Sequence, residues 1–352
     1  MKSRMGILLD HALWKGIPIR RTGHEKISFY NKAANKNNMS ILYFSLPNVE
    51  ISRNRVKGYL WNKGRFRLVK EKIPNVIHNR SMSANPVLFK RLQSLTRGRI
   101  IFNQHTRYSK FYIHRLLMNK KSIRKYLPHT MKFNKKHLEH MMDEYDSIYV
   151  KPVSSSIGRG IIRIVKDSPT HWKIQAAGMR EKKKAAKMYS LLKKKTRAKT
   201  YLLQEAIPLA EYKGNPFDIR VSVQKSRNGQ WQVTGMVGKV AARGNHVTNV
   251  ARGGKVKRCE KLFEACGLDV NRTTQAIKKA SLKIAEYLGK KLPNLADVGF
   301  DIGVDSEGRP YFIEVNGRDL RYSFHHGHLD QQWYKTYENP IRYGKFLLKR
   351  KR

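Results

Sequence analysis

Cysteine is nearly missing from this 352-residue chain, which holds only Cys259 and Cys266. Seven positions apart on what reads as a helix, they form neither a CxxC redox pair nor a zinc quartet, and they read as reduced thiols. Acid is scarce as well. Against 73 Lys and Arg stand 25 Asp and Glu, a formal net charge of +48, far more than solubility requires. Such a field attracts polyanions; nucleic acid, anionic polymer and acidic peptide all fit it, because the attraction is independent of sequence. Long apolar runs are absent too. Ile7, Leu8 and Leu9 are interrupted at once by Asp10 and His11, so no signal peptide is read there, and nothing approaches the roughly 20 apolar residues of a membrane helix. The expectation is a cytosolic chain with no membrane insertion. GxSxG, HExxH, zinc-finger spacing, an RNP-like aromatic motif and a solenoid repeat are all missing, which argues against the hydrolase, zinc-finger and repeat classes.

What is present is enough apolar material, 40% of residues, for two or three packed lobes. Residues 5–10 (MGILLD) and 40–45 (SILYFS) have strand length, with helix-compatible polar sequence between them, which predicts an α/β opening. Pro74–Ile77 leads into His78-Asn79-Arg80, either a ligand-contacting loop past a strand end or an ordinary surface loop. Residues 110–127 predict a helix stopped by Pro128, residues 135–146 a second one, and 148–150 the start of a strand. A lobe boundary falls near residues 100–110. Residues 180–199 hold ten Lys or Arg, yet Ala185, Met188, Tyr189 and Leu192 keep helical spacing, predicting a helix whose cationic face is either solvated or docks a polyanion. Lys349–Arg352 reads as a frayed basic end.

Three segments carry chemistry. In Tyr149–Ile164 the order is strand, small-residue loop, strand; Ser154, Ser155, Ser156, Gly158 and Gly160 let amides approach a phosphate while Lys151 supplies charge, unless the loop is a plain hairpin. Near the C-terminus, Val298–Val304 and Tyr311–Asn316 flank the turn Asp305–Pro310. Period-2 alternation predicts Phe300, Ile302, Val304, Ile313 and Val315 on one face and Asp301, Glu314 and Asn316 on the other, with Asp301 opposite Glu314. Facing carboxylates repel unless a cation lies between them, and magnesium suits an Asp, Glu, Asn trio that leaves room for water and phosphate. Between these segments, Tyr201–Ile207 predicts a strand whose end either frames an adenine, with main-chain groups at the base edge, or is simply buried. Asp218 and Arg220 share a strand face opposite Ile219, Val221 and Val223, so that Arg220 clamps an anion or forms a structural Asp–Arg pair. Lys239, Arg243, Asn249 and Gly253-Gly254 come next along the chain and suit a substrate anion or triphosphate.

In that order these segments resemble the ATP-grasp proteins, and more narrowly the YheC/YheD family associated with the endospore coat. The likeness runs from MGILLD and IHNR through Lys110 with LP-x-T, YVKP-x-SSS-x-GRG, QEAI-x-L, G-x-PFDIRV-x-VQ and VARGG to GFDIGVD and FIEVN. It implies an α/β (α+β) ATP-grasp fold, with a pre-ATP-grasp α/β lobe over 1–105, the ATP-grasp domain over 106–340 and a basic tail over 341–352. It also implies that Lys110 and Lys151 contact nucleotide phosphates, that 154–160 closes over them, and that Gln204, Glu205 and Ile207 line the adenine pocket. By the same resemblance Asp301, Glu314 and Asn316 hold Mg²⁺, or Mn²⁺ in its place, and Arg220, Arg243 and Asn249 face the triphosphate or acceptor. One departure stands out: Asn316 is succeeded by Gly317-Arg318-Asp319-Leu320-Arg321, where ATP-grasp ligases often carry small residues and Pro-Gly.

The function expected from this is activation of a carboxylate by Mg-ATP through an acylphosphate that an amine or a thiol captures, with an acidic peptide or polymer as acceptor. Charge neutralisation and positioning would carry catalysis, without a protein nucleophile. Its rival is a non-catalytic scaffold of the spore coat that retains the fold and meets coat proteins. Nucleic acid is expected only as a non-specific partner.

Overall fold

The computed structural model describes residues 2–62, 64–82, 85–154, 159–176, 179–197, 199–245, 248, 250 and 253–350. Three sheets form among these described residues, in chain order. The first contains β1 (Ser3–Leu8), β2 (Met39–Phe44), β3 (Val49–Glu50), β4 (Arg55–Asn62), β5 (Arg65–Lys72), β6 (Val76–Asn79) and β7 (Ile100–Phe102), in the order β3-β4-β2-β1-β6-β7 with β5 on β4. Strands β2, β1, β6 and β7 are parallel, as the apolar runs joined by helical sequence predicted. Alternation sends Met5 and Ile7 to one core and Leu8 to another. Gly6 on the Leu8 side is required, because a Cβ there would lie 2.7 Å from Phe44 Cε1. Helices α1 (His11–Lys15), α2 (Ile27–Lys36) and α3 (Pro86–Leu95) complete the lobe.

The second sheet is antiparallel, in the order β12-β11-β10-β9-β13-β8. Its strands are β8 (Thr130–Lys132), β9 (Ser147–Pro152), β10 (Ile162–Ser168), β11 (His171–Ala176), β12 (Met179–Lys184) and β13 (Tyr201–Glu205). Before it come α4 (Lys110–Met118) and α5 (Lys121–Arg124), and against it pack α6 (Lys135–Glu144) and α7 (Met188–Thr196). The helix predicted over 110–127 is therefore two pieces. The helix predicted over 180–199 begins only at 188: Met188 and Leu192 are buried as its spacing required, but 179–184 pair with β11, because the sheet edge offers that stretch backbone partners while like charges such as Lys183 and Lys187 would repel at helical spacing.

The third sheet runs β17-β16-β15-β18-β19, with β14 on β15. These are β14 (Glu211–Tyr212), β15 (Asn215–Lys225), β16 (Trp231–Val240), β17 (Lys255–Lys257), β18 (Asp297–Val304) and β19 (Pro310–Asn316). Ile219, Val221, Val223, Phe300, Ile302 and Val304 bury one face against α8 (Cys259–Ala265) and α9 (Val270–Lys291). Helix α10 (Tyr322–His326) and helix α11 (Asp330–Arg350) end the fold, and α11 packs on β15 and β16 as well as on α2, β1 and β6. Residues 341–350 are thus no tail. Ile341 and Leu347 are buried in the core of the first lobe, since the apolar face of α11 continues across the boundary that the basic sequence suggested. Cys259 and Cys266 are free thiols.

Candidate active site

The other face of the third sheet is polar along its length. Residues 218, 220, 222 and 224 of β15 lie opposite 303, 301, 299 and 297 of β18, so one row carries Asp218, Arg220, Ser222 and Gln224 beside Asp301 and Asp297. Arg220 grips Asp301 with two nitrogens, Nε to Oδ1 at 2.8 Å and a guanidinium NH₂ to Oδ2 at 3.3 Å, and reaches Asp319 at 3.1 Å. Its pairing is not with Asp218, as the structural alternative supposed. Lys239 Nζ lies between Asp218 (2.9 Å) and Asp301 (3.0 Å), which places it inside the protein's own charge lattice and not free for an anion. Gly299 admits this lattice: a Cβ there would come within 2.7 Å of the Asp319 carboxylate.

Burial by itself raises the Asp301 carboxyl, but Arg220 and Lys239 outweigh it and hold the group well below the usual range. Asp218, desolvated by burial and close to the Asp301 charge, is pushed up to about 6 despite Lys239.

Asp301 stands opposite Glu314 in the β18–β19 register. Immediately beyond, the register slips by one residue, and Ile302 pairs with Phe312. That bulge corrects the predicted face of Ile313: Phe312 enters the core, whereas Ile313 approaches Gly303 on the polar side, beside Leu209. A strict two-residue period cannot anticipate an inserted residue.

Glu314 forms an ion pair with Lys110 at the start of α4. Ser109 caps that helix by accepting from the Tyr112 N–H, and the Lys110 N–H donates to Val153 O at 3.2 Å, tying the helix start to the end of β9. From β9, the Lys151 ammonium donates to Gln204 Oε1 at 2.6 Å and sits 4.6 Å from the Tyr149 ring centre. Gln204 in turn donates to Thr130 Oγ1. Desolvation, and then the charge of Lys110, bring the Lys151 ammonium down to about 7 in spite of Glu314. Lys110, Lys151, Gln204, Glu314, Asp301 and Arg220 therefore form one continuous constellation where the second and third sheets meet. The crossover between those sheets is 206–210, anchored by the Ala210 N–H on Val304 O at 2.8 Å.

Other predicted residues stand apart from it. Arg243 is exposed on the turn after β16, and Ser154 is exposed at the end of β9. Gly160 adopts φ +75°, packed near Pro152 and the Tyr201 hydroxyl. Glu205 and Ile207 are half-buried at the exit of β13. The N–H groups of Glu205 and Ala206 are engaged by His129 O and Ser147 O, so these two donors do not read a base edge. Ser155, Ser156, Gly158 and Asn249 lie outside the described residues.

His78, Asn79 and Arg80 form neither a ligand loop nor a surface loop, since all three are buried. Arg80 Nε donates to Glu25 at 3.0 Å and its NH₂ group to Asp319 O at 2.7 Å. His78 Nε2 lies 3.1 Å from Asp297, which Arg321 also pairs with. The charged segment after Asn316 explains the network. Arg318 reaches Asp10 at 2.7 Å, Asp319 reaches Arg220 and Ser222, and Arg321 reaches Tyr30 as well. These side chains turn inward and tie the first lobe to the Asp301 row. Asp297 and Asp319 were not singled out from sequence; the excess of basic neighbours in an acid-poor chain was the available signal.

A divalent ion fits the Asp301, Glu314, Asn316 set. Among the described residues Asp301 Oδ2 keeps only the longer contact to Arg220, Glu314 is half-buried, and Asn316 has an amide oxygen of the kind a cation takes, while its Nδ2 is buried without a partner among the described residues and is a donor left for an anionic group beside the ion. Around it stand the carboxylates Asp218, Asp301, Glu314 and Asp319 with the cations Lys110, Lys151, Arg220 and Lys239, so neither sign is in clear excess.

A family model described as YheC/D like ATP-grasp matches residues 99–347, a span containing every residue of this constellation. The chain belongs to the YheC/D-like ATP-grasp family. Endospore coat-associated protein YheD of Bacillus subtilis (strain 168) is 23% identical over 384 aligned positions, covering 98% of this chain and 82% of that protein. Among solved structures, the ATP-grasp ligase PsnB, complexed with a phosphomimetic variant of a minimal precursor, Mg and ADP, superposes at TM-score 0.54 with 12% identity, covering 96% and 99% of the two chains. VanG D-Ala:D-Ser ligase from Enterococcus faecalis gives TM-score 0.54 at 12% identity, over 97% and 99%. At such identity these two establish the ATP-grasp fold, which this YheC/D-like chain shares from its first lobe to α11.

Proposed function

We propose that the chain is an ATP-dependent ligase that joins a carboxylate to an amine, or to a thiol, and that it works at the spore surface. The observation that carries this reading is the pairing of Lys110 from α4 with Glu314, which itself stands opposite Asp301, beside a Lys151 from β9 that Gln204 holds. Lys110 and Lys151 bind the phosphate chain, and Asp301, Glu314 and Asn316 hold Mg²⁺, for which Mn²⁺ can substitute. Mg²⁺, when bound, screens the phosphate oxygens and orients them for in-line displacement. Gln204 keeps the Lys151 ammonium aimed into the cleft. Arg220 keeps Asp301 ionised, and with Arg243 and Asn249 provides positive charge and hydrogen bonds on the acceptor side. Ser154, Ser155, Ser156, Gly158 and Gly160 cover the phosphates, while Glu205 and Ile207 border the base.

In the proposed reaction a substrate carboxylate oxygen attacks the γ-phosphorus and ADP leaves. The amine nitrogen then attacks the acyl carbon, phosphate departs, and the amide forms after loss of a proton. Positioning and charge account for the acceleration without a protein nucleophile. The field of +48 favours an acidic peptide or polymer as acceptor. The names of the relatives support a place at the spore coat, and a scaffold that has kept the fold is the second reading.

Retention of radiolabelled ATP in the presence of Mg²⁺ should weaken at least about tenfold in Glu314→Ala and Asp301→Ala, since losing even a residue that only supports a metal ligand costs about 10–100-fold. Unchanged retention in the folded Glu314→Ala variant sinks the metal assignment. ADP release that requires both an acid and an amine separates the ligase from the scaffold.

A further inference from the structure

Outside the constellation described above, three side chains meet where α6 lies beside the segment entering β8. His140 and Glu144 sit one turn apart on α6, a spacing that stacks them on the same helix face, and His129 comes from the segment entering β8. His129 Nδ1 is 3.2 Å from Glu144 Oε2, His140 Nε2 is 3.6 Å from the same oxygen, and the three ligand atoms all lie within 4.8 Å of one another. The two rings are edge-on at 79°, their centres 6.1 Å apart.

The partners of Glu144 are informative. In a chain with 73 Lys and Arg, its ion-pair partners among the described residues are both histidines. A neutral imidazole is a poor counter-charge but a good ligand. Two imidazoles and a carboxylate are a donor set of tetrahedral zinc sites that keep one position open. Zn–N and Zn–O distances of about 2.0–2.2 Å in a tetrahedron imply ligand atoms roughly 3.3–3.6 Å apart. Two of the three separations are near that value, and the third closes by rotation of side chains that remain a third to a half exposed. The Tyr145 hydroxyl, 2.9 Å from His129 Nδ1, gives up that contact when the nitrogen takes the ion, because a ring nitrogen has one lone pair.

We propose that His129, His140 and Glu144 form a binding site for a transition-metal dication of the zinc type, separate from the Asp301, Glu314, Asn316 set. The ion pins α6 to the start of β8. That strand start is joined to the cleft by protein bonds alone: His129 O accepts the Glu205 N–H, and Thr130 Oγ1 accepts from Gln204, the partner of Lys151. The site does not depend on the ligase reading.

Full-length chain stripped with chelator and titrated with Zn²⁺ by calorimetry should bind one ion per chain and melt at a higher temperature when loaded. In His140→Ala and Glu144→Gln, both exposed positions on α6, the affinity should fall at least about tenfold and the thermal shift should vanish. Co²⁺ in place of zinc should give the visible absorption of a tetrahedral ion in the parent and lose it in both variants. His171→Ala, away from the cluster, should retain binding, as should Asp301→Asn combined with Glu314→Gln, so that loss of the magnesium set does not masquerade as loss of this one. Equal affinity and stoichiometry in parent and His140→Ala, or no binding by the parent at micromolar Zn²⁺, overturns the proposal.

Discussion

Arg220 and Asp301 show how much a single buried charge depends on its neighbours. Arg220 neutralises Asp301 and Asp319 together, and replacing it with Met leaves two buried carboxylates short of a cation. A loss on the order of 3–5 kcal/mol is expected, the scale for breaking one side of a buried pair, measured by urea unfolding. Arg220→Met combined with Asp301→Asn should cost less than the sum of the single changes, because the stranded charge is gone. His78 makes a second residue-scale prediction. Burial brings its imidazole down to about 4, although Asp297 pulls the other way. Between pH 6.5 and 4 the unfolded chain therefore binds a proton that the folded chain does not, so stability falls as pH falls through that window, by up to about 3 kcal/mol for a shift of this size. His78→Gln should lose less stability between pH 7 and 5 than the parent. His114, also lowered to about 4 by burial, contributes equally to both and cancels. Equal losses in the two proteins would place the acid sensitivity elsewhere.

Helix α11 shows what an element can hide. It contains Pro340, which has no N–H to offer the carbonyl four residues back. That carbonyl, Thr336 O, is met instead by Gln224 Nε2 at 2.8 Å, and Gln224 also donates to Asp297. The helix thus completes the same polar row that carries Arg220 and Asp301. Removing residues 341–352 should cost on the order of 5 kcal/mol, from Ile341, Tyr343 and Leu347 at about 1.5–3 kcal/mol for each large buried side chain, whereas removing 349–352 should leave the melting temperature almost unchanged. Equal tolerance of both truncations would contradict the packing of α11 on the first lobe. Alternation in β15 and β18 was legible because each buries one face completely. The slip in β19 was not, because a bulge is settled by the partner strand. Hairpin β4–β5 gave no such signal either: Leu68 and Trp61 are exposed, so its pattern mixes apolar and basic side chains on one face.

For the whole molecule the net charge of +48 is the dominant quantity, since self-repulsion opposes the compact state and salt screens it over roughly 10 Å at 0.1 M. The melting temperature should rise between about 10 and 200 mM salt, a range over which the Debye length shrinks from roughly 30 Å to below 10 Å. Retention on an anionic polymer should fall linearly in log affinity against log salt. A melting temperature that is flat or declines over that range would mean that local pairs such as Arg220–Asp301 already absorb the strain.

The fold class, the order of the segments and the placing of Asp301 opposite Glu314 were legible in the chain itself, because strand alternation and turn chemistry act locally. Which cation answers which carboxylate was decided only in three dimensions. Lys239 faces Asp218 and Asp301, His78 and Arg80 are sealed inside, and the basic C-terminus is a core helix. Each of those outcomes depends on residues tens to hundreds of positions apart becoming neighbours out of water, where the cost of an unpaired charge selects the partner, and no local pattern encodes that choice.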